Sequence, residues 1–188
     1  MTRIVLPAEA LIDGSTVLRP WGDSDVDALV VVGQDPELAR WTSVPMPYDE
    51  ARARAYLSQR DHAVQAGASA PFAIVSPDGE LLGQVSLLRP VWKHARAEVG
   101  YWLAPQARGH GHATRAVRMI CTWGFTALSL ERIDLFAATG NLASQRVAER
   151  AGFTREAVLR SYMRGRHERQ DMVAFGLLIG PSAARRSG

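Results

Sequence analysis

Residues Ala97–Leu128 read A-E-V-G-Y-W-L-A-P-Q-A-R-G-H-G-H-A-T-R-A-V-R-M-I-C-T-W-G-F-T-A-L. A strand over Arg96–Leu103, a glycine loop and a helix over Ala113–Leu128 follow one another directly. The helix places Ala113, Val117, Ile120, Cys121, Gly124 and Leu128 on one face, at spacings of three and four. Gly109 and Gly111 let the loop backbone turn its N–H groups toward one concave point. The helix adds its unpaired N-terminal donors and the positive end of its dipole. Such an arrangement binds phosphate or pyrophosphate without a metal.

Upstream of this unit, Thr16–Pro20 reads as a first strand. Asp23 is positioned to cap a helix over about Ser24–Val32, which Gly33 ends. Pro36–Tyr48 holds three prolines and two aromatics, a structured loop with room for a helical turn. A second helix runs from about Asp49 to Ala66. Phe72–Val75 and Leu81–Leu88 flank Pro77-Asp78-Gly79, a strong turn signal, and Arg89–His94 links them to Arg96–Leu103. Three strands joined by short turns are most simply antiparallel. Downstream, Arg132–Thr139 returns through a helix, which favours parallel pairing with Arg96–Leu103. Leu142–Ala151 is a short helix closed by Gly152, and Phe153–Val158 and Met172–Leu178 form a closing strand pair. The expectation is a single α+β domain over residues 1–180: a mixed, mostly antiparallel sheet with one parallel junction beside the glycine loop. Residues 181–188 read as a disordered tail.

Composition bounds the function. The 188 residues are 47% hydrophobic and 22% charged, enough for one domain with a sizeable core. Apolar runs such as Ala28–Val32 are far too short to span a membrane, and M-T-R-I-V-L-P lacks the features of a secretory signal. One cysteine, Cys121, excludes an intramolecular disulfide framework and fits a reducing, cytoplasmic setting. The formal charge is +3, and much of the excess lies in Arg160–Arg169 and Arg185-Arg186. No basic run with interleaved aromatics marks a nucleic-acid groove, so neither nucleic acid nor membrane is expected as a partner. A mildly basic surface suits an anionic cofactor equally well.

The stretch Glu98–Thr114 resembles the acetyl-CoA motif of GNAT acetyltransferases, Q/R-x-x-G-x-G/A, with Gln106, Gly109 and Gly111 at its defining positions. N-L-A-S-Q-R-V-A-E-R-A-G-F, Asn141–Phe153, is similar to the same superfamily's second motif. The order of elements agrees from Thr16 to about Leu178. L-R-P-W, E-V-G-Y-W-L-A-P, N-x-x-S and G-F-T-R-E-A-V-L-R resemble the RimJ/RimL-like branch, whose founding members acetylate ribosomal-protein N-termini. The resemblance implies the acyl-CoA N-acyltransferase fold, with the parallel junction splayed open and helices on both faces of the sheet, acetyl-CoA as co-substrate, no metal, and an amine acceptor. It also allows a homodimer, although no stretch of the sequence identifies an interface.

Under that resemblance the amides around Gln106, Ala107, Arg108, Gly109, His110, Gly111, His112, Ala113 and Thr114 receive the coenzyme A pyrophosphate. The pantetheine arm pairs like a strand with Tyr101, Trp102 and Leu103, against Asn141 and Ser144 on the far wall. The chemistry needs a neutral amine, because an α-amine has a pKa of about 7.7–8.0 and a lysine about 10.4. Glu98 is the candidate base, directly or through a water; it reads equally as a strand carboxylate paired with an Arg such as Arg96. A backbone N–H near Trp102 could take the oxyanion. Many superfamily members place a tyrosine seven residues after the position of Asn141, whereas this chain has Ala148. Ser144 is the substitute the branch suggests, or simply the cap of the helix Leu142–Ala151. Some members of the branch carry a glutamate in the segment that here reads L-R-S-Y-M-R-G, where Ser161 and Tyr162 stand without a carboxylate.

Other motifs point elsewhere only weakly. G-H-G-H-A-T lacks the third glycine of a dinucleotide fingerprint, and no G-K-[ST] occurs. His110 and His112 read as solvent-facing or phosphate contacts more readily than as a metal pair. Cys121 falls on the apolar helix face. Asp171 reads as a structural turn or as a partner of Arg169. Trp41, Tyr48 and Trp92 sit in loops that could converge on the opening as an acceptor pocket. The leading reading is transfer of acetyl to a protein N-terminal α-amine. A small-molecule amine acceptor (polyamine, antibiotic or amino acid) and a non-catalytic acyl-CoA sensor are the alternatives.

Overall fold

The computed structural model describes residues 4–42, 44–165 and 168–180. Eight strands form one sheet: β1 (Leu11–Asp13), β2 (Thr16–Arg19), β3 (Ser69–Val75), β4 (Leu81–Val91), β5 (Arg96–Leu103), β6 (Arg132–Ala138), β7 (Thr154–Arg164) and β8 (Arg169–Leu178). Their spatial order is β1-β2-β3-β4-β5-β6-β8-β7. Every neighbouring pair is antiparallel except β5 and β6, which run parallel. Five helices complete the fold: α1 (Val26–Val32), α2 (Pro36–Trp41), α3 (Glu50–Gln65), α4 (His112–Ala127) and α5 (Leu142–Ala151). The tail expected beyond residue 180 lies outside the described residues.

Strand alternation divides the core between the two faces of the sheet. Phe72 and Ile74 of β3, Val85 and Leu87 of β4, Ala97 and Val99 of β5, and Ile133 and Leu135 of β6 point to the side covered by α4 and α5. Ala73 and Val75, between them on β3, meet Val26, Leu29, Ala53 and Leu57 of α1 and α3 on the other side. Each large apolar side chain so buried contributes about 1.5–3 kcal/mol. Helix α4 lies close enough to the sheet that Phe72 meets Trp123 edge-on at 5.3 Å. A Cβ at Gly124 would come within 2.8 Å of Leu87 Cδ1, so this glycine sets the approach.

Four local features differ from the sequence expectation, the first being β1, a short strand ahead of the one expected to begin the sheet. The turn before α1 is held by Asp25, not Asp23: the Asp25 carboxylate accepts the Gly22 N–H at 2.9 Å and pairs with Arg19 at 2.7 Å. The proline-rich loop contains a true helix, α2, because Asp35 accepts the N–H groups of Glu37 and Leu38 while Pro36 fills the first helical position. Strands β7 and β8 are longer than the alternation suggests. Register shifts at Arg155/Ala157 and Leu159/Met163 break the pattern while pairing resumes beyond them.

Candidate active site

Strands β5 and β6 pair only at Arg96↔Arg132, Ala97↔Ile133 and Glu98↔Asp134. Beyond that point each strand follows its other neighbour, β5 staying with β4 as far as Leu103 and β6 with β8 as far as Ala138. The sheet therefore splits. The β5 edge from Val99 to Leu103 has no ladder partner toward β6, leaving main-chain groups for an extended ligand.

Charged side chains cluster at the closed end of the split. Glu98, with 17% of its side chain exposed, pairs with Arg89 and not with Arg96. Arg96 instead approaches Asp134 at 3.5 Å. Arg132 binds Asp134 at 2.6 Å and Glu156 at 2.6 Å. The Glu156 hydrogen bonds raise the Arg132 pKa more than burial lowers it, with Asp134 adding to the rise.

Helix α5 forms the far wall. Asn141 caps it, accepting the Ser144 N–H at 3.0 Å. Ser144 is thus not the cap. Its Oγ meets the Tyr101 hydroxyl at 3.0 Å, a contact from β5 to α5 across the split. Burial pushes the Tyr101 pKa up to about 12, against a smaller opposing effect of Ser144.

The glycine loop sits at the open end, immediately after β5. Gly109 and Gly111 adopt φ of +83° and +80°, in the left-handed region that favours glycine. No side chain caps α4, so its first-turn N–H groups keep their capacity for an anion. A Cβ at Gly109 would meet open space. Arg108 is turned away from the loop's concave side: it donates to the Leu103 carbonyl at 3.0 Å and pairs with Asp35. Arg115 donates to the His110 carbonyl at 2.7 Å and to Thr16 Oγ1 at 2.9 Å, and Thr16 Oγ1 lies 2.8 Å from His112 Nδ1. Burial, Arg115 and His110 lower the His112 pKa, favouring the neutral ring. Gln106 is exposed, 3.4 Å from Glu80 Oε1. The His110 and His112 rings lie 6.2 Å apart, and no cluster of three potential metal ligands occurs among the described residues.

Trp41, Tyr48 and Trp92 do not converge. Trp41, at the end of α2, lines a cavity of about 750 Å³ with Pro36, Arg40 and Met46 on one side. Thr139, Gly140, Glu168, Arg169 and Asp171 line the other, at the open end of β6. Tyr48 is 6% exposed and belongs to the core beneath α1 and α3. Trp92 sits in the turn between β4 and β5, at the opposite end of β5 from the glycine loop. Only Trp41 stands at the cavity, because the other two aromatics are consumed by packing.

Sequence reasoning read Asp171 as a turn residue or a partner of Arg169 and did not place it, or Glu168, at this cavity. Asp171 accepts the Ser161 N–H at 2.7 Å, while Arg169 donates to the Ser161 carbonyl at 2.7 Å. Together they hold Ser161 at φ +53°, in the bulge of β7. A carboxylate from β8 therefore stands beside the segment of β7 that carries none. The serine standing in L-R-S-Y-M-R-G without a carboxylate was the sequence signal for this pairing.

Comparison with known proteins places these features in context. The family model described as Acetyltransferase (GNAT) domain matches residues 16–154. The chain is 40% identical over 103 residues to "Putative ribosomal N-acetyltransferase YdaF" of Bacillus subtilis, covering 54% of this chain and 55% of that protein. It is 34% identical over 86 residues to the spermidine N(1)-acetyltransferase of Escherichia coli, covering 46% of each. The matches thus span about half the length of these two relatives. Among solved structures, RimL, a ribosomal L7/L12 alpha-N-protein acetyltransferase in complex with coenzyme A, superposes with a TM-score of 0.83. That likeness covers 91% of this chain and 98% of the other at 20% identity, and it speaks to the fold.

Proposed function

The chain belongs to the GNAT acetyltransferase family, and from that premise we propose that it moves an acetyl group from acetyl-CoA to a protein N-terminal α-amine. The observation that carries the donor half is the split after Glu98↔Asp134, opening directly onto the uncapped N-terminus of α4. The two left-handed glycines and the open space at Gly109 suit a pyrophosphate received by the amides of Arg108–Ala113. The unpaired β5 edge suits pantetheine, whose two amides pair as a strand does. Acetyl-CoA supplies an activated acyl carbonyl, and in this reading a backbone N–H on β5 near Trp102 takes the oxyanion.

The acceptor half rests on charge. Beside Glu168 and Asp171 the cavity presents Arg40 and Arg169, so a polyamine, cationic along its length, meets two guanidinium groups. A peptide has one ammonium and then a neutral backbone. Acid–base chemistry argues the same way. At neutral pH about a tenth of an α-amine is already neutral, against well under one part in a thousand of a lysine-like amine. Glu98, engaged by Arg89, is then asked for little. A polyamine acceptor is the second reading, favoured by the spermidine-acetylating relative.

Mass spectrometry of a peptide and amine library incubated with the protein and acetyl-CoA tests this. Acetyl on peptide N-termini is expected. Modification confined to polyamines selects the second reading. Tight CoA binding with no amine modified leaves a sensor.

A further inference from the structure

Within the acetyl-transfer reading, we propose that Tyr101 is a positioning residue: by donating its hydroxyl hydrogen to Ser144, it turns the Ser144 O–H toward the sulfur that leaves in the split.

The argument is one of hydrogen-bond bookkeeping. Tyr101 lies on β5 three residues beyond the last pair with β6, and its hydroxyl reaches Ser144 Oγ at 3.0 Å. It has no other hydrogen-bond partner among the described residues, and with its one hydrogen given to Ser144 the Ser144 O–H stays free for a ligand. Asn141 already holds the Ser144 main chain through its N–H, which fixes the first turn of α5 against the split. A serine hydroxyl offers one donor and two acceptor positions. With one acceptor position filled by Tyr101, the Ser144 hydrogen is left to a third group, and the contact spans the gap that an extended ligand on β5 would enter.

The transfer balances without a proton from either hydroxyl. The amine nitrogen forms a bond to the acyl carbon, the carbon–sulfur bond breaks, and sulfur leaves with the electron pair. The proton given up by nitrogen passes to the base and then to water, from which sulfur is later protonated. An ordinary thiol has a pKa of about 8.5. Tyr101, pushed up to about 12, holds its proton more tightly. The pair therefore stabilises a thiolate by a charge-assisted hydrogen bond and does not protonate it.

The test needs no acceptor. CoA is bound to the full chain and its thiolate followed by ultraviolet absorbance against pH, in wild type, Tyr101→Phe, Ser144→Ala and the double variant. The wild-type complex is expected to titrate below free CoA. Each single variant should raise that midpoint by about one pH unit, the scale of one hydrogen bond to a charged group. The double variant should move it no further, because Tyr101 acts through Ser144. In turnover, Tyr101→Phe should lower kcat about tenfold with KM for acetyl-CoA unchanged. A wild-type midpoint in Tyr101→Phe overturns the assignment, as do additive shifts or shifts in neither variant. Failure of the wild type to bind CoA overturns the acetyl-transfer reading itself, and the assignment with it. Tyr101→Phe removes one oxygen and keeps the ring; if it melts early, the Ser144→Ala midpoint still decides whether the pair reaches the sulfur.

Discussion

Asp35 and Arg108 form an ion pair that ties the N-terminus of α2 to the glycine loop, and the same carboxylate accepts the Glu37 and Leu38 N–H groups. One side chain thus orders both the donor loop and the helix that carries Trp41.

Asp35→Ala should lose the cap, worth about 1 kcal/mol, and with it about 2–4 °C of Tm. The acetyl-CoA KM should rise in parallel, because Arg108 loses its anchor. Burial raises the Asp35 pKa, but Arg108 and the two N–H groups outweigh it, and the net effect is a fall below the ordinary 3.8. A depressed carboxylate stabilises the fold above its unfolded value, so this contribution is intact at neutral pH. It is lost as pH falls below about 3.8. Thermal melts across pH check this, and an acid limb identical in wild type and Asp35→Ala would refute it.

Glu98→Gln keeps the side-chain shape at the closed end of the split and removes the charge that binds Arg89. Acting as base, Glu98 contributes in the transition state, so kcat should fall and its pH dependence change while acetyl-CoA affinity holds. Steady-state kinetics across pH decide this. A lower Tm with an unchanged kcat would leave Glu98 with only the Arg89 ion pair to its credit.

The parallel junction was legible in the sequence, because a connection through a helix favours parallel pairing and the glycine loop follows β5 directly; the splay of the two strands was implied only by the family resemblance. The elements along Arg96–Ala151 carry uninterrupted periodicity, and the structure follows them within a residue or so. What failed to show was side-chain partnership. Tyr48 and Trp41 look alike in a proline-rich stretch, yet one packs over Gly33 and the other reaches the cavity. Glu98 selected Arg89 over the nearer Arg96 because Arg89 adopts φ +49° at the end of the β4–β5 pairing, where the register shifts. Asp171 reads from the sequence as a structural residue, and it does hold the bulge of β7, but its partner Ser161 was hidden because a bulge has no period.

Gly109→Ala and Gly124→Ala separate donor binding from folding. At Gly109 an added methyl meets nothing, but φ of +83° costs a non-glycine residue about 1–2 kcal/mol. The loop is exposed and free to relax out of the strained conformation, so the cost falls mainly on binding: acetyl-CoA affinity should drop several-fold, with Tm lowered by no more than a few degrees. At Gly124 the methyl meets Leu87 at 2.8 Å and Leu130 at 3.3 Å inside the core. Overpacking of this kind costs about 1–3 kcal/mol, and Tm should fall with the affinity of the surviving folded protein unchanged. Calorimetric titration and melting of both variants check the contrast; equal effects on both quantities would contradict it.

Arg40→Glu tests the charge argument for the acceptor. Arg40 stacks on Trp41, its guanidinium carbon 4.7 Å from the ring centroid, and lies 3.9 Å from Glu37. Reversing its sign leaves Arg169, held by the Ser161 carbonyl, as the one cation among the described residues lining a cavity that then bears Glu168, Asp171 and the substituted carboxylate. A polycation gains from each added carboxylate, whereas a peptide with a single ammonium gains once. At low salt, kcat/KM for spermidine should therefore rise relative to that for a neutral peptide, and the ratio should shrink as salt screens the site over about 10 Å. The acetyl-CoA KM should stay fixed, because the contacts of Arg40 are with Trp41 and Glu37 and not with the glycine loop. A ratio indifferent to the substitution would mean that the acceptor does not enter this cavity, and the preference for an α-amine would then rest on pKa alone.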